Sequence, residues 1–553
     1  MNERDAFLDH ARQYHKFTLD DLAWAVQNGL DVKCIEAYLK AYHPSNIEVL
    51  LGTRLQAGPE ESYYPILYFA AERNSPEIVR LLCKAGADPN MRMGPLHSPQ
   101  TCLLVLAYTI LTAEYDLSDT TDTLVALLAA GADPADVPRD MWQDFLLAPL
   151  KDNLEDSNGV NRKDLWCTVA IREVLCRNLT LMQRYCLWKA DHISKLTVSR
   201  KQVADGHSIM PLFEAPYYLI GQSYAVREVL ETITSNLLWE SKNPVVLLFT
   251  DPSGHGKTEL AKRMGDLLSI DSLTVDCATA RFETDLFGPQ APYHGCEEGT
   301  PLNNYLAKVA GQRAVVFLDE FDKTTSAVRQ AMLLLFESGH YNDRRNHQKL
   351  DCKNIIWILA TNLGTELIRK FAAQHVQDHY QEQQKKVPFD DLRGSVRQIV
   401  SDALGAPLTG RLTEIVPFLP FNQDEQAVAT YKFMRKRRMQ VRGAIDIEAK
   451  SFLKHIFLNL VDDGEIAKHL AAKSYNPELG ARSLSSAVNR EIGRKVSDHF
   501  QEGTRKTDNE MNNVALPKYD VRVTRDSNAI GRIVVKRVGF KEVQCKPKAV
   551  VEE

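Results

Sequence analysis

Apolar residues along this chain change their rhythm twice. Up to about residue 140 they come in short bursts at helical spacing, such as Leu22-Ala23-Trp24-Ala25-Val26, Ile66-Leu67-Tyr68-Phe69-Ala70-Ala71, and Leu124, Leu127 and Leu128. That spacing predicts helices with one buried face. Between 210 and 420 the apolar residues run unbroken instead, at 245–250, 314–318 and 355–360, and again at Ile415, Val416 and Phe418. Such runs, with a helical pattern in Ala225, Val226, Val229 and Leu230, predict buried strands of a parallel sheet. Helical spacing returns over 424–440, 446–460 and 484–500, and alternation over 519–524 and 531–538 predicts a short β-hairpin. Residues 141–209 are mixed and mostly helical in pattern, with Asp156-Ser157-Asn158-Gly159 reading as a loop. The expected organisation is multidomain, since 553 residues exceed what one core usually serves. An all-α array would fill 1–140, a helical linker 141–209, an α/β domain with a parallel sheet 210–420, and a mostly helical lid 421–545.

One phrase recurs in the first region. The burst at Tyr64-Pro65-Ile66-Leu67 leads to Ile78-Val79-Arg80-Leu81-Leu82 and closes on Gly86-Ala87-Asp88-Pro89-Asn90, and Gly131-Ala132-Asp133-Pro134 closes the next unit. This unit resembles the ankyrin repeat, whose period is about 33 residues. Here the two Gly-Ala-Asp turns are 45 apart (131 − 86), so an insertion is expected between the second pair of helices. The pattern from Leu22 to Leu39 resembles a degenerate first repeat, and about three repeats are needed for a stable stack. The resemblance implies that the array binds another protein on its concave surface and performs no chemistry.

The chemistry lies where the run 245–250 feeds Asp251-Pro252-Ser253-Gly254-His255-Gly256-Lys257-Thr258. Small residues let backbone N–H groups face phosphate oxygens, and a following helix, begun by Glu259, Leu260 and Ala261, adds its dipole. Lys257 is placed to reach the terminal phosphates and the Thr258 hydroxyl to hold Mg²⁺. The phosphate-loop pattern wants Gly at 251; Asp251 instead sets an acid close to a bound polyphosphate. Ahead of the loop, the apolar pair Leu219-Ile220 is suited to walling an adenine. About sixty residues after it, the run 314–318 ends in Asp319-Glu320. The first carboxylate suits Mg²⁺ held through water, the second the attacking water. Asn362 brings an amide to the same carboxyl edge of the sheet, where ligands bind in α/β folds. The nucleotide-site candidates are therefore Ile220, Gly254, His255, Gly256, Lys257, Thr258 and Glu259, and the cofactors ATP and Mg²⁺.

Net charge changes little in this picture: −5 over the chain gives no global reason to expect nucleic acid or an anionic membrane. No apolar run approaches a membrane span, and Glu3, Asp5 and Asp9 do not suit a presequence, so a cytoplasmic address is expected. The run Arg435-Lys436-Arg437-Arg438 leaves a nuclear address as the alternative, although on a lid helix it reads first as a solvated face. Ten cysteines without a C-x-x-C pair fit reduced thiols.

Taken in order, Leu219-Ile220-Gly221-Gln222, the phosphate loop, Leu286-Phe287-Gly288, Pro292-Tyr293-His294-Gly295, Asp319-Glu320, Thr361-Asn362, Gly410-Arg411-Leu412 and Gly480-Ala481-Arg482 resemble the AAA+ ATPases of the Clp/heat-shock class. The likeness covers about 210–500 and is to the second-ring module of ClpB-like disaggregases; ankyrin repeats joined to one such module resemble the ankyrin-containing ClpB homologues. It implies catalytic roles for Asp319, Glu320, Asn362 as first sensor, Arg411 as a finger reaching a neighbouring subunit, and Arg482 as second sensor. A finger in trans implies a homohexamer. Tyr293 would grip unfolded or aggregated polypeptide in the pore, because a ring packs on any backbone, and residues 340–349 would be a second pore loop. No tripeptide for docking a peptidase ring is found, so a stand-alone unfoldase is expected. A nucleotide-gated scaffold slowed by Asp251 is the alternative, and a nucleic-acid remodeller a third, weaker reading because no basic funnel accompanies the aromatic loop.

Overall fold

The computed structural model describes residues 17–56, 63–94, 103–113, 118–149, 166–193, 197–239, 243–268, 270–375, 387–443, 453–503, 515–525 and 531–542. The expected loop at 156–159 lies outside the described residues. The chain divides into two units, one of Met1–Leu196, Ala427–Lys473 and Ser485–Glu553, the other of Thr197–Gln426 and Ser474–Leu484.

The second unit is built on a parallel sheet. Its strands are β1 (Val245–Thr250), β2 (Ser272–Asp276), β3 (Ala314–Asp319), β6 (Ile355–Thr361) and β7 (Glu414–Pro417), with a small antiparallel hairpin, β4 (His340–Asn342) and β5 (Lys349–Asp351), between β3 and β6. The spatial order is β7-β1-β6-β3-β2. Every residue of β1 and β6 is buried, which is why their sequences run apolar without alternation. Successive side chains point to opposite faces and so feed two cores. Val246, Leu248, Trp357 and Leu359 join one, Leu247, Phe249, Ile356 and Ile358 the other. Each such residue contributes roughly 1.5–3 kcal/mol through burial. Strand β2 is an edge strand with alternately exposed residues, and its two apolar residues, Leu273 and Val275, left too faint a pattern to predict it. Thr250 is in register with Thr361, and Leu359 with Leu318. The chain therefore leaves β1, β3 and β6 at one edge, with Asp251, Glu320 and Asn362 as the first residues out.

The first unit begins with helical pairs, Leu19–Gln27 with Val32–Lys40, Ile66–Glu72 with Pro76–Lys84, and Val105–Leu111 with Thr121–Ala130. Thr18, Asp31 and Ser75 cap their helices by accepting backbone N–H groups. Between the helices of the last pair, where an insertion was expected, residues 114–117 lie outside the described residues. Another pair, Val169–Asn178 and Leu181–His192, packs on the Val105–Leu111 and Thr121–Ala130 pair, so part of the linker extends the array.

The same unit includes lid elements from the C-terminal half. Arg184, wholly buried, donates to the carbonyls of Phe145 and Leu179 (both 2.8 Å) and pairs with Asp463 at 2.7 Å. Asp463 also accepts the Leu181 backbone N–H at 2.6 Å. On the helix Gln423–Arg442, Arg435 pairs with Asp119 at 2.7 Å and Asp122 at 3.2 Å. This corrects the reading of the basic run as a solvated face: its first member is a half-buried partner of the repeat array, placed there by a contact across 316 residues that no local pattern announces. The helix expected over 446–460 is corrected at its end, while 446–452 lie outside the described residues. Residues 457–460 form β8 (Phe457–Leu460), which pairs in parallel with β9 (Ala515–Arg525), itself antiparallel to β10 (Gly531–Glu542); the β-branched and aromatic residues of that sheet supply the partner that a lone helix would lack. The C-terminal hairpin is thus present with a third strand. Among the described residues no helix is long and apolar enough to cross a membrane.

Candidate nucleotide site

Strand β1 ends in the loop 251–256, and the helix Lys257–Leu268 starts at its lysine. Gly254 and Gly256 lie in the left-handed region, at φ 87 and 108, a conformation that side chains disfavour. The loop is not free-standing. A Cβ on Gly254 would fall 2.2 Å from the Leu479 carbonyl oxygen, and one on Gly480 2.6 Å from the Gly254 oxygen. The Ala481 N–H donates to that same Gly254 oxygen at 2.9 Å. Backbone therefore meets backbone between the loop and Gly480-Ala481, and Arg482, exposed, is the next residue.

His255 forms the second tie. It is wholly buried, with Nδ1 2.9 Å from the Pro252 oxygen and Nε2 3.1 Å from the Tyr475 hydroxyl. A carbonyl can only accept, so Nδ1 carries the proton and Nε2 accepts from Tyr475. Burial lowers its pKa to about 4, and the ring remains neutral at physiological pH.

Lys257 is almost enclosed. Its ammonium donates to the Thr361 carbonyl at 2.7 Å and to the Asn362 side-chain oxygen at 3.0 Å, and forms an ion pair with Asp251. The loop lysine and the expected first sensor are thus in direct contact. Asp251 is fully buried, and burial, only partly offset by Lys257, pushes its carboxyl up to about 7. The acid that the sequence sets close to a bound polyphosphate is thus enclosed and paired with the loop lysine.

Across the edge, Asp319 accepts the Glu320 backbone N–H at 3.0 Å, and Glu320 adopts the left-handed conformation at φ 51 with its side chain exposed. A non-glycine residue held there carries strain of the kind found at functional sites. Neither carboxylate forms an ion pair among the described residues, so both are available to a divalent cation, as is the half-buried Thr258 at the helix start. These donors fit Mg²⁺, which takes few carboxylates and keeps its waters. Ile220 is buried, and Glu259 is exposed on the first helical turn.

Arg411 lies elsewhere in this unit. It pairs with Glu337 at 2.6 Å and donates to the Pro407 carbonyl at 2.6 Å. Tyr293 is 72% exposed in the loop between Gly288 and Gly299. Sequence reasoning missed Tyr475 and Glu337, because each is marked only by a side-chain contact with a residue distant in sequence.

Residues 242–415 match the family model of the AAA domain (Cdc48 subfamily), 447–512 that of the C-terminal D2-small domain of ClpB protein, and 64–93 that of the ankyrin repeat. The mitochondrial disaggregase of Rattus norvegicus is 28% identical over 342 residues, 57% of this chain and 48% of its own length. The chaperone protein ClpB of Chlamydia caviae is 25% identical over 303 residues, 52% of this chain and 32% of its own. The chain therefore spans half or less of the length of these relatives. A closed-state reconstruction of Hsp104 with ATPγS and labelled casein aligns over 78% of this chain and 63% of its own at 18% identity and a TM-score of 0.44, too loose a likeness to bear on domain arrangement.

Proposed function

We propose that this chain, which joins an ankyrin repeat to an AAA domain and a ClpB-type small domain, is an ATP-driven protein unfoldase or disaggregase. The observation that carries the reading is the convergence of the Lys257 ammonium with Asn362 at the sheet edge where β3 delivers Asp319 and Glu320. Mg²⁺, held by Thr258 and Asp319, would supply charge neutralisation to the phosphates. Glu320 would orient water, Asn362 would hold Lys257 in register with the phosphates, and Ile220 would wall the base. Tyr293 would press on extended polypeptide, and the ankyrin array would take up a client or partner protein.

Arg411 would complete a neighbour's site in a homohexamer. Its pair with Glu337 is no obstacle, since the carboxylate is 59% exposed and such pairs are worth about 0–1 kcal/mol. No peptidase ring enters this reading.

The test is ATP turnover per subunit against protein concentration, for the natural chain and for Arg411→Ala. Turnover that climbs with concentration and collapses in the variant supports a ring with a trans-acting arginine. Nucleotide held tightly without turnover at any concentration would replace the motor with a nucleotide-gated scaffold.

A further inference from the structure

Arg344, in the turn between β4 and β5, joins several segments of the second unit. Its guanidinium meets the Glu283 carboxylate at 3.0 and 3.2 Å, donates to the Gly288 carbonyl at 3.3 Å, and lies 5.5 Å from the centre of the Phe287 ring. Its backbone is engaged as well. The carbonyl accepts the Ala291 N–H at 2.9 Å, and the N–H donates to the Asn303 side-chain oxygen at 3.2 Å. Asn303, wholly buried, stands behind the turn, where its amide donates to Asp343 at 2.9 Å and its oxygen also accepts from the Tyr341 hydroxyl. Arg345 closes on Asp343 at 2.6 Å. Burial would raise the Asp343 carboxyl, but these hydrogen bonds hold it at about 2, so it stays ionised.

Tyr293 needs such support. Its own loop carries turn hydrogen bonds, from the Tyr293 N–H to Gln290 at 2.9 Å and from the Cys296 N–H to Tyr293 at 3.2 Å. The bond from Ala291, two residues earlier, fastens the loop to the hairpin. A ring on a slack loop would absorb a pull as loop deformation, because exposed segments with few hydrogen bonds open at little cost.

We infer that Arg344, backed by Asn303, is a positioning residue that clamps the Tyr293 loop to the β4–β5 hairpin, so that the two move as one piece when polypeptide is pulled. This rests on the reading of Tyr293 as the gripping residue. The bland account is that Arg344 only stabilises the domain. Against it stands the distribution of its contacts: Glu283, Phe287, Gly288 and Ala291 all belong to the segment that leads to Tyr293.

Hydrogen exchange and casein-stimulated ATP turnover on the full chain test the clamp, with labelled casein as the unfolded polypeptide. In Arg344→Ala, exchange at 289–297 should quicken by about tenfold while helix Ser326–Ser338 is unchanged. The casein concentration for half-maximal stimulation should rise about tenfold at a similar maximum. Glu283→Gln, at a half-exposed position that does not threaten folding, should move both readouts the same way by less. Arg344→Lys should restore only part of the effect, since an ammonium lacks the two-pronged geometry. Unchanged exchange at 289–297 overturns the clamp. Quickened exchange with unchanged casein response, where Tyr293→Ala weakens that response, overturns the positioning role. If Tyr293→Ala itself leaves the casein response intact, the gripping reading falls first and the inference with it.

Discussion

Asp251 and Lys257 form an ion pair inside the phosphate loop, with the carboxylate fully buried and the ammonium also held by Thr361 and Asn362. A lysine neutralised from within attracts phosphate less than a free one. Asp251→Gly restores the usual loop pattern and removes the competitor. Nucleotide binding at pH 8, measured by calorimetry, should tighten by about tenfold, or about 1.4 kcal/mol. Weaker binding in the variant would mean that the pair orders the loop instead.

The same pair gives nucleotide binding a pH dependence. Asp251 is an acid raised from 3.8 to about 7 by burial. Its ionised form is therefore penalised in the folded chain, and the penalty grows as pH rises from about 4 to 7. Going down from pH 8 to 6, Asp251 takes up a proton and releases Lys257, so affinity should increase. Asp251→Asn, neutral throughout, should show only the titration of the nucleotide itself. Identical pH profiles in the two proteins would exclude Asp251 as the titrating group.

Most of the sheet was legible because β1, β3 and β6 are buried on both faces and write that burial as unbroken apolar runs. Edge strand β2, half solvated, wrote almost nothing. The loop, Asp319-Glu320 and Asn362 were legible as polar residues placed where strands end, and the structure brings them to one edge of the sheet. What could not be read was the company each residue keeps. Arg435 belongs to a basic run in sequence and to Asp119 in space. Arg411 has a local motif but meets Glu337, and Asp251 breaks the loop's glycine pattern yet is buried and paired with Lys257. Contacts of that kind depend on tertiary approach, which no local periodicity encodes.

Gly254 and Gly480 approach so closely that neither tolerates a side chain. Gly480 also has φ 52, so Gly480→Ala strains the backbone and drives a methyl toward the Gly254 oxygen. The Ala481 to Gly254 hydrogen bond should break, at a cost of about 1–3 kcal/mol. Arg482 then loses its fixed relation to the loop. The nucleotide-induced rise in Tm should shrink more in this variant than in Gly493→Ala, a helical glycine with open space around it. An equal rise in both would show that the glycine contact does not couple the loop to its neighbour.

The Asp119–Arg435 pair predicts how the first unit responds to acid and to charge deletion. Burial would raise the Asp119 carboxyl, but Arg435 outweighs it and holds the group at about 2, below its ordinary 3.8. An acid depressed on folding contributes stability that is complete above about 4 and is lost as pH falls toward 2, here on the order of 2 kcal/mol. Arg435→Met should behave oppositely. It strands a buried carboxylate, destabilising the unit by about 3–5 kcal/mol at neutral pH, and part of that loss should return on acidification, as Asp119 takes up a proton. Asp119→Asn combined with Arg435→Met leaves neither charge and should come closer to the natural stability than Arg435→Met alone. Hydrogen exchange in helices Thr121–Ala130 and Gln423–Arg442 between pH 2 and 7 reads these effects on both sides of the contact. If Arg435→Met leaves exchange in Thr121–Ala130 unchanged, the pair does not join the array to the lid.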